Sequence, residues 1–167
     1  MMMRSIVIAI ALMGSAYSQP STPASAYEMT ADAIDCNQKT RKCIATSNAR
    51  ITTGAGDATK VLTARNVTAS MQEEGAPSNI DAEGDVFLEA QGGKIQSIRS
   101  DRAHYEPDKQ TATFDGNVSL RFGSHTFKGD HATADLKQGN FTLKGAKQTP
   151  VSGLIYPGAL SEKRRRA

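Results

Sequence analysis

Three histidines, His104, His125 and His131, and three aspartates at one repeated place, Asp32, Asp101 and Asp130, are the side chains suited to proton transfer or cation binding. Catalysis needs an acid, a base or a nucleophile converging on one point. His104 and His131 fall at outward positions of alternating segments, and His125 is expected in a turn after Gly123-Ser124. No Ser/His/Asp or metal-ligand spacing stands out. The sequence therefore reads as a non-enzyme with no catalytic residues, no metal and no cofactor. The recurring aspartates are better suited to turn or bulge chemistry than to holding calcium. No Gly-rich phosphate loop is present, so no energy source is encoded.

The two cysteines sit seven positions apart, around Asn37-Gln38-Lys39-Thr40-Arg41-Lys42. If Lys39-Thr40 is a hairpin tip, Cys36 and Cys43 face each other at a separation that suits a disulfide. Two free thiols are the alternative. The N-terminus favours oxidation, because Arg4 precedes an apolar run from Ile6 to Met13 and then small residues up to Ser18. That is the plan of a secretory signal peptide, and the run is far shorter than the roughly 20 residues needed to cross a bilayer. Residues 1–18 are thus expected to be a signal, 19–26 a Pro/Ser/Thr-rich disordered leader, 27–160 one domain and 161–167 a basic disordered tail. The formal charge of +3 becomes +2 without Arg4 and −2 without Lys163, Arg164, Arg165 and Arg166. A cation cluster at the terminus, rather than spread over a face, argues against nucleic acid. They leave a solvated tail, or a weak contact with anionic membrane or glycolipid.

The body of the chain repeats itself. Ala31-Asp32-Ala33-Ile34-Asp35-Cys36, Ala64-Arg65-Asn66-Val67-Thr68-Ala69, Ser100-Asp101-Arg102-Ala103-His104-Tyr105 and Gly129-Asp130-His131-Ala132-Thr133-Ala134 share one pattern of small, polar and apolar residues. Each is followed by a turn and a second strand, marked by Ser47-Asn48-Ala49, Gly84-Asp85-Val86, Gly116-Asn117-Val118 and an abbreviated Lys144-Gly145-Ala146. Four hairpin units result. Within them apolar residues alternate with polar ones, most regularly at Ala112, Phe114, Gly116, Val118, Leu120 and Phe122. A period of two means a strand with one dry and one wet face. In the second unit Phe87 alone lies on the wrong side. Pairing across the tips sets Tyr105 opposite Ala112, Ala103 opposite Phe114 and Leu136 opposite Phe141. Helical periodicity is absent after residue 26.

Stacked hairpins with a shared dry face hide it by folding over, as a sandwich or a curled, V-shaped sheet. The expected fold is therefore all-β. Inner positions mix large residues with Ala and Gly, and there is no Trp, a lining that would leave a slot suited to acyl chains. The pattern alone describes a closed core at least as well.

The ordered motifs Ser100-Asp101-Arg102-Ala103-His104-Tyr105, Thr113-Phe114-Asp115-Gly116-Asn117-Val118-Ser119-Leu120 and Phe127-Lys128-Gly129-Asp130-His131-Ala132 resemble the signature of the OstA-like family. The likeness runs from about Glu28 to Leu160, closing on Leu154-Ile155-Tyr156-Pro157-Gly158-Ala159-Leu160. The resemblance implies an OstA-like β-jellyroll of stacked antiparallel hairpins, forming a V-shaped, partly open sheet pair. It also implies a periplasmic bridge that binds lipopolysaccharide through the lipid A acyl chains and carries it from the inner to the outer membrane. Implied partners are an inner-membrane jellyroll protein, the N-terminal jellyroll domain of an outer-membrane barrel, and further copies of this chain, head to tail. Strand parity assigns the lipid-facing wall to Ile34, Val67, Val86, Leu88, Ala103 and Tyr105 in the first units. Phe114, Val118, Leu120, Phe122, Leu136, Phe141 and Leu143 continue it. Ser47-Asn48-Ala49 departs from the family's usual Gly-Asn-Val, and the cysteine pair is not a general family feature. A structural or adhesive module without lipid cargo is the other reading.

Overall fold

The computed structural model describes residues 26–156 except positions 55 and 74. The expected signal, most of the leader and the basic tail lie outside the described residues. The strands are β1 (Tyr27–Thr30), β2 (Ala33–Asn37), β3 (Lys42–Thr53), β4 (Lys60–Met71), β5 (Pro77–Ala90), β6 (Ile95–Glu106), β7 (Thr111–Phe122), β8 (His125–Asp135), β9 (Asn140–Lys144) and β10 (Ser152–Leu154). A short 3-10 turn, Gly56–Ala58, joins β3 to β4. All pairings are antiparallel.

The ten strands form one sheet that is bent along a line. Each of the six long strands, β3 to β8, shifts register near its middle, so its two halves belong to different leaves. The first leaf runs from β2, through one half of each long strand, to β9; the second runs from β1, through the other halves, to β10. Among the described residues every end strand pairs with one neighbour only.

The bend is made by the residues that the repeats share. In β3, β5 and β7 two residues drop out of the ladder, Ser47-Asn48, Gly84-Asp85 and Gly116-Asn117; in β4, β6 and β8 one does, Arg65, Asp101 and Asp130. All six residues of the pairs have positive φ, between 49° and 80°, which is the left-handed twist that re-aims a bulged strand. Polar contacts bridge the line outside. Asn48 Nδ2 donates to Asp32 Oδ2 at 2.9 Å, and Asn117 Nδ2 donates to Asp101 Oδ2 at 2.8 Å. In the second unit the charges are exchanged, with Arg65 Nη2 donating to Asp85 Oδ2 at 2.7 Å. Two of the recurrent aspartates thus serve bulge geometry. Inside the bulge, Ser100 Oγ donates to the Arg102 carbonyl at 2.8 Å.

Two expectations are corrected. Ala134, not Leu136, stands opposite Phe141, because the β8–β9 turn closes earlier. Asp135 starts that turn by accepting the amides of Lys137 and Gln138 on Oδ1, which leaves Leu136 in the loop. His125 begins β8 opposite Phe122 rather than lying in the turn. Gly123, at φ 58°, lets Gly123-Ser124 turn the chain in two residues. Phe87 does face outward, and the Arg99 guanidinium covers its ring at 4.7 Å.

A side chain at position 116 would meet both a positive φ and a Cβ contact of 2.4 Å with Asp101 Oδ2. Ser47 already holds the equivalent place at φ 61°. Gly116→Ser should therefore cost about 1–3 kcal/mol, read as a fall of several degrees in Tm, whereas Ser47→Gly should leave Tm unchanged or raise it. Equal losses from the two opposite exchanges would show that the backbone of the bend is not what limits stability.

Candidate functional site

Between the leaves lies a continuous apolar surface, built by rows of side chains that run across the strands. On the first leaf one row is Ile34, Ala45, Val67, Ala82, Ala103, Phe114, Ala132 and Leu143, each paired with the next. The row beyond it is Cys36, Cys43, Ala69, Ile80, Tyr105, Ala112, Ala134 and Phe141. Facing them on the second leaf are Met29, Ile51, Leu62, Leu88, Ile98, Leu120 and Phe127. All of these except Ile34, Cys36 and Cys43 join one core cluster.

The residues assigned to the wall by parity fall as follows. Val67, Val86, Leu88, Ala103, Phe114, Val118 and Leu120 are buried; Tyr105, Phe122, Leu136, Phe141 and Leu143 are half-buried against the same core. Ile34 is 44% exposed, because β2 is an end strand with no leaf beyond it. It lines a small apolar mouth of about 160 Å³ with Tyr27, Met29 and the Cys36–Cys43 disulfide. At the other end Phe141 of the first leaf meets Phe122 and Phe127 of the second, with ring centroids 5.5 and 5.4 Å apart.

Parity missed Ile51, Leu62, Ile98 and Phe127, all on the second leaf. A two-residue bulge preserves parity, as in β7, where Phe114 and Val118 both face inward. A one-residue bulge inverts it, so Ile98 and Ala103 in β6 share the inner face despite odd spacing. The recurrent polar residue at Arg65, Asp101 and Asp130 is the signal that marks each inversion.

The expected long slot is corrected in one respect. The apolar cavity between the leaves, bounded by Leu62, Leu88, Ile80, Phe114 and Tyr105 among others, is only about 20 Å³, roughly the space one water needs. Small residues of the first leaf let large ones of the second approach, so the leaves are in contact. An acyl chain has to part them.

The rims opposite the bend are tied along their own lengths. Met71 N donates to Arg41 O at 2.8 Å and Leu136 N to Gln110 O at 2.9 Å on the first leaf; Gln91 N donates to Thr59 O at 2.9 Å and Gly123 N to Lys94 O at 3.2 Å on the second. Among the described residues no backbone hydrogen bond crosses from one rim to the other. His104 and His131 lie elsewhere, on the outer face, where they pair with Asp81 and Asp115 on neighbouring strands, while His125 stands opposite Phe122 and its Nδ1 accepts the Tyr156 amide at 3.2 Å. Among the described residues no group of three or more His, Cys, Asp or Glu is placed to hold a metal.

A bent antiparallel sheet with an apolar interior and four unpaired edges has counterparts. Residues 28–140 match the family described as LptA/(LptD N-terminal domain) LPS transport protein. The chain belongs to this family of lipopolysaccharide transport proteins. A solved structure, LptH of Pseudomonas aeruginosa, described as the LptA homologous periplasmic component of the lipopolysaccharide transport device, superposes with a TM-score of 0.68 at 15% identity. The match covers 79% of this chain and 96% of that one, and it shows the shared fold. No curated sequence matches the chain.

In this family member one titratable group inside the trough departs from its ordinary behaviour. Burial, and secondly the Tyr27 phenol beside it, push the Tyr105 hydroxyl up to about 12 from 10.0. An unfolded chain ionises this group first, so its contribution is whole below pH 10 and is lost as pH rises through about 12. Ultraviolet titration of phenolate should show one late-ionising tyrosine, absent in Tyr105→Phe, whose alkaline loss of Tm should be shallower. If the phenolate lost in Tyr105→Phe is one that forms near pH 10, Tyr105 is in contact with water.

Proposed function

We propose that this chain is a periplasmic bridge that binds lipopolysaccharide with its lipid A acyl chains between the two leaves and passes it from the inner toward the outer membrane. The observation that carries this reading is the set of apolar rows running unbroken from one open end to the other, with no closing strand at either. A guest held there touches the same kind of surface at every strand. Moving it along exchanges equivalent apolar contacts and needs no chemistry from the protein.

The end strands support the partners. β1 and β2 at one end, and β9 and β10 at the other, each leave one hydrogen-bonding edge unpaired. An exposed edge accepts another strand by backbone pairing. A second copy joined head to tail would continue both leaves, and repetition would make an open filament rather than a ring. Jellyroll domains of an inner-membrane protein and an outer-membrane barrel would dock by the same edges. The bonded Cys36 and Cys43 hold the β2–β3 hairpin at the end where such pairing would begin. The close contact of the leaves is the one observation favouring a structural module without cargo.

Photo-crosslinking separates the two. A photoreactive residue at Leu120 or Phe122, on the inner face, should label lipopolysaccharide in the periplasm, while one at Ser119 or Arg121, on the outer face of the same strand, should label at least about tenfold less. Equal labelling on both faces, or none by a folded protein, would move the chain to the cargo-free reading.

A further inference from the structure

The seam between the rims is not uniformly apolar. Where the β8–β9 turn of the first leaf approaches the connections β3–β4 and β5–β6 of the second, a cleft of about 360 Å³ opens. Three lysines line it, Lys60, Lys94 and Lys137, with Asp57 as its single carboxylate. Among the described residues, no carboxylate oxygen lies within 4.0 Å of any of the three ammonium groups. Most Lys and Arg side chains among the described residues share this, only Arg41, Arg65 and Lys109 being paired, with Glu73, Asp85 and Glu106; what distinguishes these three is that they line one cleft together.

The cleft adjoins the apolar interior. Lys60 and Leu136 line both spaces, so a molecule crossing from one to the other passes from ammonium groups to aliphatic and aromatic walls within one side chain's length. The lips are also held in place before any guest arrives. The Lys94 carbonyl accepts the Gly123 amide, the Gln91 amide reaches Thr59, and Asp135 fixes the turn that carries Lys137. Gly139, in left-handed backbone at φ 68°, lies opposite Lys94 across the cleft. Lys137 stands on the first leaf, and Lys60 and Lys94 on the second.

We propose that Lys60, Lys94 and Lys137 form an anion-binding mouth that holds the phosphorylated headgroup of a glycolipid while its acyl chains lie between the leaves. The proposal rests on the lipid-binding reading above and adds the recognition of the head to it. Each ammonium offers three donors to phosphate oxygens. Because the donors come from both leaves, a bound phosphate ties the lips across the one line where the backbone does not. The amphipathic guest chosen by these two adjoining spaces has at least one phosphate next to its acyl chains, which excludes neutral glycolipids as preferred cargo.

The test uses the mature protein from Gln19 onward with three probes: diphosphoryl lipid A, the same lipid enzymatically dephosphorylated, and inorganic pyrophosphate alone. Wild type should bind the diphosphoryl form about tenfold more tightly than the dephosphorylated one. The variant Lys60→Gln/Lys94→Gln/Lys137→Gln should bind both equally, at the wild-type affinity for the dephosphorylated lipid. Lys94→Gln/Lys137→Gln, which changes only exposed side chains, serves if the triple variant is unstable and should lose most of the preference. An outer-face control of equal charge, Arg99→Gln/Arg121→Gln/Lys128→Gln, should keep the preference. If the control loses it too, net charge and not the mouth is responsible, and the proposal is overturned. Equal binding of the two lipids by wild type overturns the mouth and leaves the trough standing. Pyrophosphate bound by wild type and lost in the triple variant, without lipid discrimination, assigns the cleft to a free anion and also overturns it. Failure of wild type to bind either lipid removes the trough reading and the mouth with it.

Discussion

The fold depends on making six long strands bend at the same level. A broad antiparallel sheet with one dry face cannot leave that face in water, and this one hides it against itself. The bend needs two things at every hairpin: a pair of residues that accept left-handed backbone, and a single opposing residue that leaves the ladder. Gly84-Asp85 and Gly116-Asn117 meet the first demand with a glycine, and Ser47-Asn48 meets it without one. Arg65 and Asp101 meet the second with side chains long enough to cap the pair from outside. The exchange of charge between Arg65–Asp85 and Asp101–Asn117 shows that the requirement is a polar bridge across the fold line, not a particular ion.

Packing follows from the bend. Once the leaves face each other, alanines at Ala45, Ala82, Ala103 and Ala132 bring the first leaf close to Ile51, Leu62, Ile98 and Leu120 on the second. The surfaces meet with little void, and apart from the Tyr27–Tyr105 hydroxyl contact they are joined by dispersion and water exclusion. Specific contacts concentrate at the periphery: the disulfide and Tyr27 near one end, three phenylalanines near the other. Membership in a lipopolysaccharide transport family is consistent with an interior that is adhesive but unspecific along its length.

Much of this was legible in the sequence, and the unread part has a definite cause. Alternation located β5 and β7, and the pairing of Tyr105 with Ala112 and of Ala103 with Phe114 followed from hairpin tips. The repeats were visible as repeats, but their polar members look like strand residues when read linearly. A residue that leaves the ladder inverts every position after it, which is why Ile98 and Phe127 escaped notice while Leu120 did not. The β8–β9 register was misjudged because Asp135 closes its turn through side-chain contacts that alternation does not encode. The mouth at Lys60, Lys94 and Lys137 could not be seen at all, since 77 positions separate its outermost members and only the folded rims bring them together.

The hydrogen bonds of the rims have a mechanical consequence. Among the described residues they run lengthwise on each leaf and none passes from lip to lip, so the molecule is a clasp whose hinge is backbone and whose closure is side-chain packing. Opening it sideways breaks no ladder bond, and its resistance grows with the apolar area uncovered. A lipid therefore need not be threaded from the end like a rope through a pipe; it can be pressed in or peeled out through the side, wherever the lips are prised apart.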